Sequence, residues 1–136
     1  MCRHTDFFYD EIKNQGLIQP LLKCCYENDR STRKFACFAI GNAAFLNNKL
    51  YEQFKPIVSR MVELLQDPET NTRANSAGAL GNFVRCGDLL CAEIIAAKAP
   101  EALLRLAENE DVNNQVQIIK VALFALGNFC YHQVIK

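Results

Sequence analysis

Apolar and polar residues along this chain follow a helical period. In the segment 56–66, PIVSRMVELLQ, apolar residues occupy positions 57, 58, 61, 62, 64 and 65, which is the spacing of an amphipathic helix. The polar segment DPETN at 67–71 is typical of a turn, and a second helix is expected from Thr72 to about Arg85. No segment alternates strictly enough to predict a strand. The pattern therefore predicts an all-α fold.

A seven-residue motif recurs three times. Ala-x-x-Ala-[Ile/Leu]-Gly-Asn occurs at 36–42 and returns, with one conservative change, at 76–82 and again at 122–128, so the spacings are 40 and 46 residues. Each copy lies in a long predicted helix that follows a shorter helix and a turn. A further short helix precedes each pair, at about 6–14, 48–54 and 88–98.

Three helices per unit at this period predict an armadillo-type, right-handed superhelical solenoid of about three repeats. The expected repeats are 6–46, 47–86 and 87–136, together forming one armadillo-like domain over 1–136. The two-helix HEAT form stays open as an alternative because the helix before Pro56 is short. Since the chain stops just after a third helix, we expect it to be a fragment of a longer protein.

Charge and composition narrow the classes of partner. Fifteen basic residues balance fifteen acidic ones, which does not favour a nucleic acid or an anionic membrane surface. No apolar run approaches the roughly 20 residues that span a bilayer, and the N-terminus does not have the pattern of a signal peptide. We therefore expect a cytoplasmic protein that binds a protein or peptide segment, without nucleic acid, membrane insertion or a cofactor.

The seven cysteines carry no motif of their own. Their positions are 2, 24, 25, 37, 86, 91 and 130, without C-x-x-C spacing. We interpret most of them as reduced core residues, Cys24 and Cys25 included because they align with Leu64 and Leu65. A cysteine-based redox or metal-binding protein remains a further alternative.

The motif combines residues for packing with one polar residue. Ala36, Ala39, Ile40 and Ala43 fall on one helical stripe that should face the core. The glycine of the motif costs about 1 kcal/mol relative to alanine inside a helix, so its recurrence implies that neighbouring helices approach too closely for a side chain. The asparagine lies off the stripe, on the concave surface that third helices of stacked armadillo units line.

Asparagine on that surface has two interpretations. Its amide can donate to and accept from the backbone of an extended peptide, at about one contact for every three peptide residues when helices lie about 10 Å apart. Alternatively it ties one unit to the next, and the solenoid is a purely structural spacer without a ligand groove. The candidate groove residues are Lys34, Phe38, Asn42, Phe45, Asn75, Asn82, Arg85, Phe124, Asn128 and Tyr131.

Two arginines, Arg33 and Arg73, begin equivalent helices, whereas the third unit has Ile119. A pair of this kind could grip an acidic partner. The interpretation we favour is that each stem packs between units and each guanidinium pairs with a carboxylate in the preceding turn, such as Asp29 or Glu69.

The segments DRSTRKFACFAIGNAAF (29–45) and RANSAGALGNFVR (73–85) resemble the C-terminal armadillo repeats of Fused-type serine/threonine kinases. The resemblance extends over about residues 10–110. Unlike importin α and similar peptide-binding armadillo proteins, the chain has no tryptophan at the groove position, where Phe38, Gly78 and Phe124 stand instead.

The resemblance implies a long protein with an N-terminal kinase domain. Members of this family act in Hedgehog signalling, motile-cilium assembly or cytokinesis, so it also implies kinesin-related or signalling partners and a cytoskeleton- or cilium-associated location. The chain itself has no G-x-G-x-x-G, V-A-I-K, H-R-D or D-F-G motif. We therefore do not expect this segment to be an enzyme.

Overall fold

The structure is a computed structural model that describes residues 6–132. Its regular secondary structure in this range is helical. Within that range there is no β-strand, as the hydrophobic pattern predicts. The α-helices are α1 (Asp6–Asn14), α2 (Ile18–Cys24), α3 (Arg30–Ala43), α4 (Tyr51–Phe54), α5 (Val58–Glu63), α6 (Thr70–Asn82), α7 (Cys91–Ala96), α8 (Ala99–Asn109) and α9 (Val116–Tyr131). Two 3₁₀ turns, Lys55–Ile57 and Leu64–Gln66, flank α5.

The long helices α3, α6 and α9 lie side by side, with α6 packed against both of the others. Behind this layer, α2 packs on α3, α5 on α6 and α8 on α9. The arrangement repeats three times along the chain, with a short helix before each packed pair. This is the unit of three α-helices that the sequence predicts.

Carboxylates at the N-caps determine where α3 and α6 begin, whereas the Gln115 side chain at the start of α9 forms no cap hydrogen bond. The Asp29 side chain accepts a hydrogen bond from the Thr32 backbone N–H at 2.7 Å, and the Glu69 side chain accepts one from the Asn71 N–H at 3.4 Å. Both caps satisfy N–H groups that the first helical turn leaves free. Helix α6 therefore begins at Thr70 rather than Thr72, and it ends at Asn82 rather than at about Arg85.

The core runs continuously between the two helical layers. The predicted stripe is confirmed, since Ala36, Ile40 and Ala43 are buried and Ala39 is half-buried. Fully buried large side chains fill the space, each worth about 1.5–3 kcal/mol when removed from water. They include Tyr51, Phe54, Met61, Leu80, Phe83, Leu90, Ile94 and Phe129.

The motif glycines allow close contact between successive long helices. A Cβ at Gly41 would lie 3.4 Å from the Ala79 Cα, and a Cβ at Gly81 would lie 2.9 Å from the Ala125 Cα. At Gly127 an added Cβ would meet no described atom within 4 Å. The predicted exclusion of a side chain is thus confirmed at Gly81, whereas at Gly41 the added Cβ would make close but ordinary contact with the following repeat.

Arg33 and Arg73 join one repeat to the next, and the predicted carboxylate partners are wrong. The Arg33 Nε lies 2.7 Å from Asp67 Oδ2, and the Arg73 Nε lies 2.6 Å from Glu110 Oε1. Both carboxylates belong to the turn of the following unit. The preceding turn supplies carbonyl acceptors instead, because Asp29 and Glu69 are used as N-caps.

The Arg33–Asp67 pair is buried and well satisfied. The Arg33 guanidinium also donates to the Glu27 and Asn28 carbonyls, each at 2.8 Å. Burial acts to raise the pKa of Asp67, but hydrogen bonds from Arg33 and from the Glu69 backbone N–H outweigh it, so this pKa lies below its ordinary value.

The cysteines divide between core and surface. Cys25 and Cys37 are buried, but Cys24 is half-buried and Cys130 is exposed, so the core prediction holds for only part of the set. The side-chain hydrogen bond between Cys25 and Cys37, together with burial, raises the pKa of the Cys37 thiol far above its ordinary value. Residues 6–132 contain no group of three metal-ligating side chains and no helix able to cross a membrane; Cys2 lies outside this range.

Candidate functional site

Three parallel ridges of side chains lie on the face of α3, α6 and α9 that points away from the core. Residues four apart on a helix lie on one face, which defines the α3 ridge, the α6 ridge and the α9 ridge. Their members are Lys34, Phe38 and Asn42; Ala74, Gly78 and Asn82; and Lys120, Phe124 and Asn128. The outer ridges have the same composition, and the middle one is built from small residues.

The small α6 ridge leaves a depression between the two others, which we call the trough. Phe38 is 54 % exposed and Phe124 is 55 % exposed on its two sides. At the Gly78 position an added Cβ would lie 3.7 Å from a Val121 methyl group. Part of the trough is a cavity of about 210 Å³ whose lining includes Phe38, Asn42, Asn75, Gly78, Asn82 and Val121.

Two of the three motif asparagines bind the preceding repeat. The Asn82 Nδ2 donates to the Gly41 carbonyl at 2.9 Å, and the Asn128 Nδ2 donates to the Gly81 carbonyl at 3.0 Å. Both carbonyls belong to the last turn of a long helix, where no intrahelical N–H partner is available. Each asparagine therefore supplies a hydrogen-bond donor to a free carbonyl at the C-terminal end of the neighbouring helix.

Asn42 has no preceding repeat within the described residues and differs accordingly. Its side chain is exposed on the trough, and among residues 6–132 it has no hydrogen-bond partner. In Asn82 and Asn128 one N–H and the amide oxygen remain available after the contact with the preceding repeat. The structural and binding interpretations of the asparagines are thus compatible.

The N-terminal part of the trough carries Asn75 and two lysines. The Asn75 Nδ2 donates to the Lys34 carbonyl at 3.1 Å, so Asn75 also links two repeats. The Lys34 ammonium lies 4.6 Å from the centre of the Phe35 ring, and Lys120 is exposed.

The remaining predicted residues lie at the C-terminal ends of the helices and do not line the cavity. The Arg85 guanidinium stacks 4.0 Å from the centre of the Phe45 ring, and its Nε donates to the Phe45 carbonyl at 3.3 Å. Tyr131 is 82 % exposed and its ring contacts His132. Four predicted residues surround the cavity, and Lys34, Phe124 and Asn128 complete the outer ridges.

Tyr51 is a residue that sequence reasoning missed. Its hydroxyl lies 2.6 Å from the Asn82 carbonyl and 3.0 Å from the Ala44 carbonyl, so it joins the ends of α3 and α6. Burial is the main cause that raises the pKa of this hydroxyl, which keeps it a neutral donor. The equivalent residue one repeat later is Cys91, so the repeat pattern gives no signal for this contact.

A larger recess of about 380 Å³ lies between the 3₁₀ turn Leu64–Gln66, α6 and α8. Arg73 and Glu110 are part of its lining, but they pair with each other at 2.6 Å. Gln66, Arg105 and Asn109 also line the recess, but it contains none of the motif asparagines, and we regard the trough, which contains two of them, as the candidate site.

Comparison with known proteins identifies the repeat. A family model described as a HEAT-like repeat matches residues 31–83. A designed armadillo repeat protein in complex with the peptide (KR)4 superposes with a TM-score of 0.83 and 22 % identity, over 94 % of this chain and 53 % of that one. An engineered protein superposes with a TM-score of 0.79 and 24 % identity, over 89 % and 48 % of the two chains.

Three curated kinases are similar in sequence. Serine/threonine-protein kinase 36 from Pongo abelii is 34 % identical over 93 % of this chain, and that from Mus musculus is 34 % identical over 99 %. Serine/threonine-protein kinase TIO from Arabidopsis thaliana is 37 % identical over the whole chain. The chain spans only 10 %, 10 % and 14 % of the lengths of these relatives.

These similarities have a consistent explanation in the three stacked helical units. The solved structures share the arrangement of the long helices, and the kinases share the sequence that builds it. The chain is an armadillo-type repeat solenoid that is homologous, over nearly all of its length, to a short segment of the Fused-type serine/threonine kinases.

Proposed function

We propose that this solenoid is a protein-interaction scaffold that binds an extended segment of a partner protein in the trough. The observation that carries the proposal is the exposed Asn42 amide, without a partner among the described residues, beside a cavity lined by Phe38 and Asn82. Unused amide groups can bind a peptide backbone, and exposed aromatic rings can contact its side chains. The designed armadillo protein of the same fold, which was solved with a bound peptide, supports this mode of recognition.

We also propose that the chain is part of a longer Fused-type kinase and supplies binding rather than catalysis. Identity of 34–37 % over at least 93 % of this chain supports the relationship. Kinesin-related or signalling partners, a cytoplasmic, cytoskeletal or ciliary location, and roles in Hedgehog signalling, cilium assembly or cytokinesis remain predictions from that relationship.

Selection from a random peptide library on the immobilised chain tests the trough. We expect selected peptides to bind wild type and to lose at least about tenfold in affinity with Phe38→Ala combined with Asn42→Ala, since the few residues at the centre of an interface that anchor a ligand cost about 2 kcal/mol or more when truncated. Ile95→Ala is a control because Ile95 is similarly exposed on α7.

Asn42 is the informative asparagine because its removal breaks no described hydrogen bond. Circular dichroism should therefore show equal helicity, and the melting temperature of Asn42→Ala should be no lower than that of wild type, since alanine is also the better helix former. Peptides that bind the double variant as tightly as wild type would contradict the trough as the binding site.

A structural spacer is the second candidate, and specific contacts favour it. Asn82, Asn128, Arg33 and Arg73 all join successive repeats. A rigid spacer would yield no peptide from the library selection, whereas a binding scaffold would yield peptides whose affinity depends on the trough.

A further inference from the structure

The three long helices contain no acidic residue. The sequences of α3, α6 and α9 include arginine and lysine but neither aspartate nor glutamate, although the whole chain has as many acids as bases. The acidic residues are therefore segregated away from the layer that forms the trough. This asymmetry is not visible in the net charge.

The nearby carboxylates have other partners. Asp67 and Glu110 are paired with Arg33 and Arg73. At the starts of α3 and α6, Asp29 and Glu69 accept the N-cap hydrogen bonds. No carboxylate among the described residues forms an ion pair with Lys34 or Lys120.

These two lysines occupy the same position on the α3 and α9 ridges, eight residues before Asn42 and Asn128. Two successive helix spacings separate them by about 20 Å. An extended chain covers that length in about six residues, at about 3.3 Å each. Between them lie Ala74 and Gly78, which leave room for apolar side chains.

We propose that the trough recognises an acidic extended peptide, with carboxylates about six residues apart and apolar side chains between them. The carboxylates would face Lys34 and Lys120, and the apolar residues would lie over Gly78 between the Phe38 and Phe124 rings. Side chains two residues apart in an extended chain point the same way, so acids at positions 1 and 7 with leucines at 3 and 5 fit the arrangement. This inference rests on the proposed function and specifies the ligand of the same surface.

The charge pattern of the ridges disfavours a basic peptide. A lysine- or arginine-rich peptide would meet two cations that form no ion pair among the described residues, and no carboxylate on the ridges. Like-charge contacts disfavour binding, and both effects weaken as salt increases. The trough should therefore have the reverse charge preference to the designed protein that was solved with (KR)4.

Three heptapeptides test the inference: Asp-Ser-Leu-Ser-Leu-Ser-Asp and its versions with asparagine or lysine in place of both aspartates. Affinities are measured by fluorescence anisotropy, and the contact surface by ¹⁵N–¹H NMR shifts. We expect the acidic peptide to bind about tenfold more tightly than the asparagine version, as two weak, partly exposed ion pairs permit. The lysine version should bind still more weakly.

Charge-reversal variants test whether the preference for the acidic peptide depends on Lys34 and Lys120. Lys34→Glu with Lys120→Glu should remove the preference for the acidic peptide. The matched control, Lys13→Glu with Arg105→Glu, makes the same change in net charge at exposed positions on α1 and α8 and should retain it. The three-peptide comparison on wild type gives an answer even if a variant folds poorly.

Each other outcome has a defined meaning. Equal or tighter binding of the neutral or basic peptide in the trough overturns the acidic preference and leaves the peptide-binding proposal intact. Absence of trough shifts with all three peptides also overturns it, and the library selection then decides the proposed function separately. Tighter, lysine-dependent binding of a ten-nucleotide oligothymidylate would overturn it in favour of a general polyanion surface.

Discussion

Gly81 and Gly127 are equivalent residues with different surroundings. A Cβ at Gly81 would lie 2.9 Å from both the Cα and the Cβ of Ala125, whereas at Gly127 it would meet no described atom within 4 Å. The same substitution should therefore have opposite effects at the two positions.

Gly81→Ala should destabilise the protein by about 1–3 kcal/mol, since the backbone of α9 must move away from α6. Gly127→Ala should stabilise it by up to about 1 kcal/mol because alanine is the better helix former. Urea denaturation of both variants, followed by circular dichroism, measures the two changes. Equal effects of the two substitutions would contradict the role of Gly81 in helix contact.

At the level of helices and turns, the Arg33–Asp67 pair connects α3 to the turn before α6. The pKa of Asp67 lies below its ordinary value in the folded protein. A lowered folded pKa contributes stability that is complete above the unfolded value, about 3.9, and is lost as the pH falls through the folded value. This contribution should therefore disappear at acidic pH below about 4.

Asp67→Asn should lower the free energy of unfolding by about 3 kcal/mol at pH 7, because Arg33 stays buried without a carboxylate. The difference from wild type should shrink as the pH falls below about 4, since wild-type Asp67 then becomes protonated. Urea midpoints between pH 7 and pH 2.5 test this, with Asp88→Asn as control because Asp88 is an exposed carboxylate outside the helices. A difference independent of pH would show that the ion pair is not its source.

The sequence pattern predicts the positions of the helices well, but it does not predict the contacts between helices of different repeats. The 3.6-residue period and the repeated motif locate all three long helices, each of which contains one copy of the motif. Arg33 and Asp67 are 34 residues apart, and Tyr51 and Asn82 are 31 apart. Such contacts depend on how units stack, which the period of a single helix does not specify.

In the trough, too, some residues could be identified from the sequence and others only from the stacking of the helices. Phe38, Asn42 and Asn82 could be selected because the motif places them on one helical face. The place of Lys120 beside the trough could not be recognised until the α9 ridge was aligned beside the α3 ridge. The contribution of Gly78 is also visible only from its neighbours, because a glycine in sequence does not reveal which side chains surround the space it leaves.

Over the whole molecule, stability should be distributed along the stack of repeats. In a solenoid each unit contacts only its neighbours, so the interfaces between units determine how cooperatively it unfolds. Helix α6 packs against both α3 and α9, whereas α9 has one long-helix neighbour among the described residues. Its Leu123 is 54 % exposed, although the equivalent Cys37 and Ala77 are fully buried.

Native-state hydrogen exchange should therefore show the slowest amide exchange in α6 and faster exchange in α1 and in the last turns of α9. Gly81→Ala weakens the interface between the second and third units, so it should accelerate exchange in α8 and α9 much more than in α2 and α3. Gly127→Ala leaves that interface intact and should produce no such asymmetry. If Gly81→Ala accelerated exchange equally in all three units, the protein would unfold as one cooperative block, and the contact between Gly81 and Ala125 would not be a separable junction between repeats.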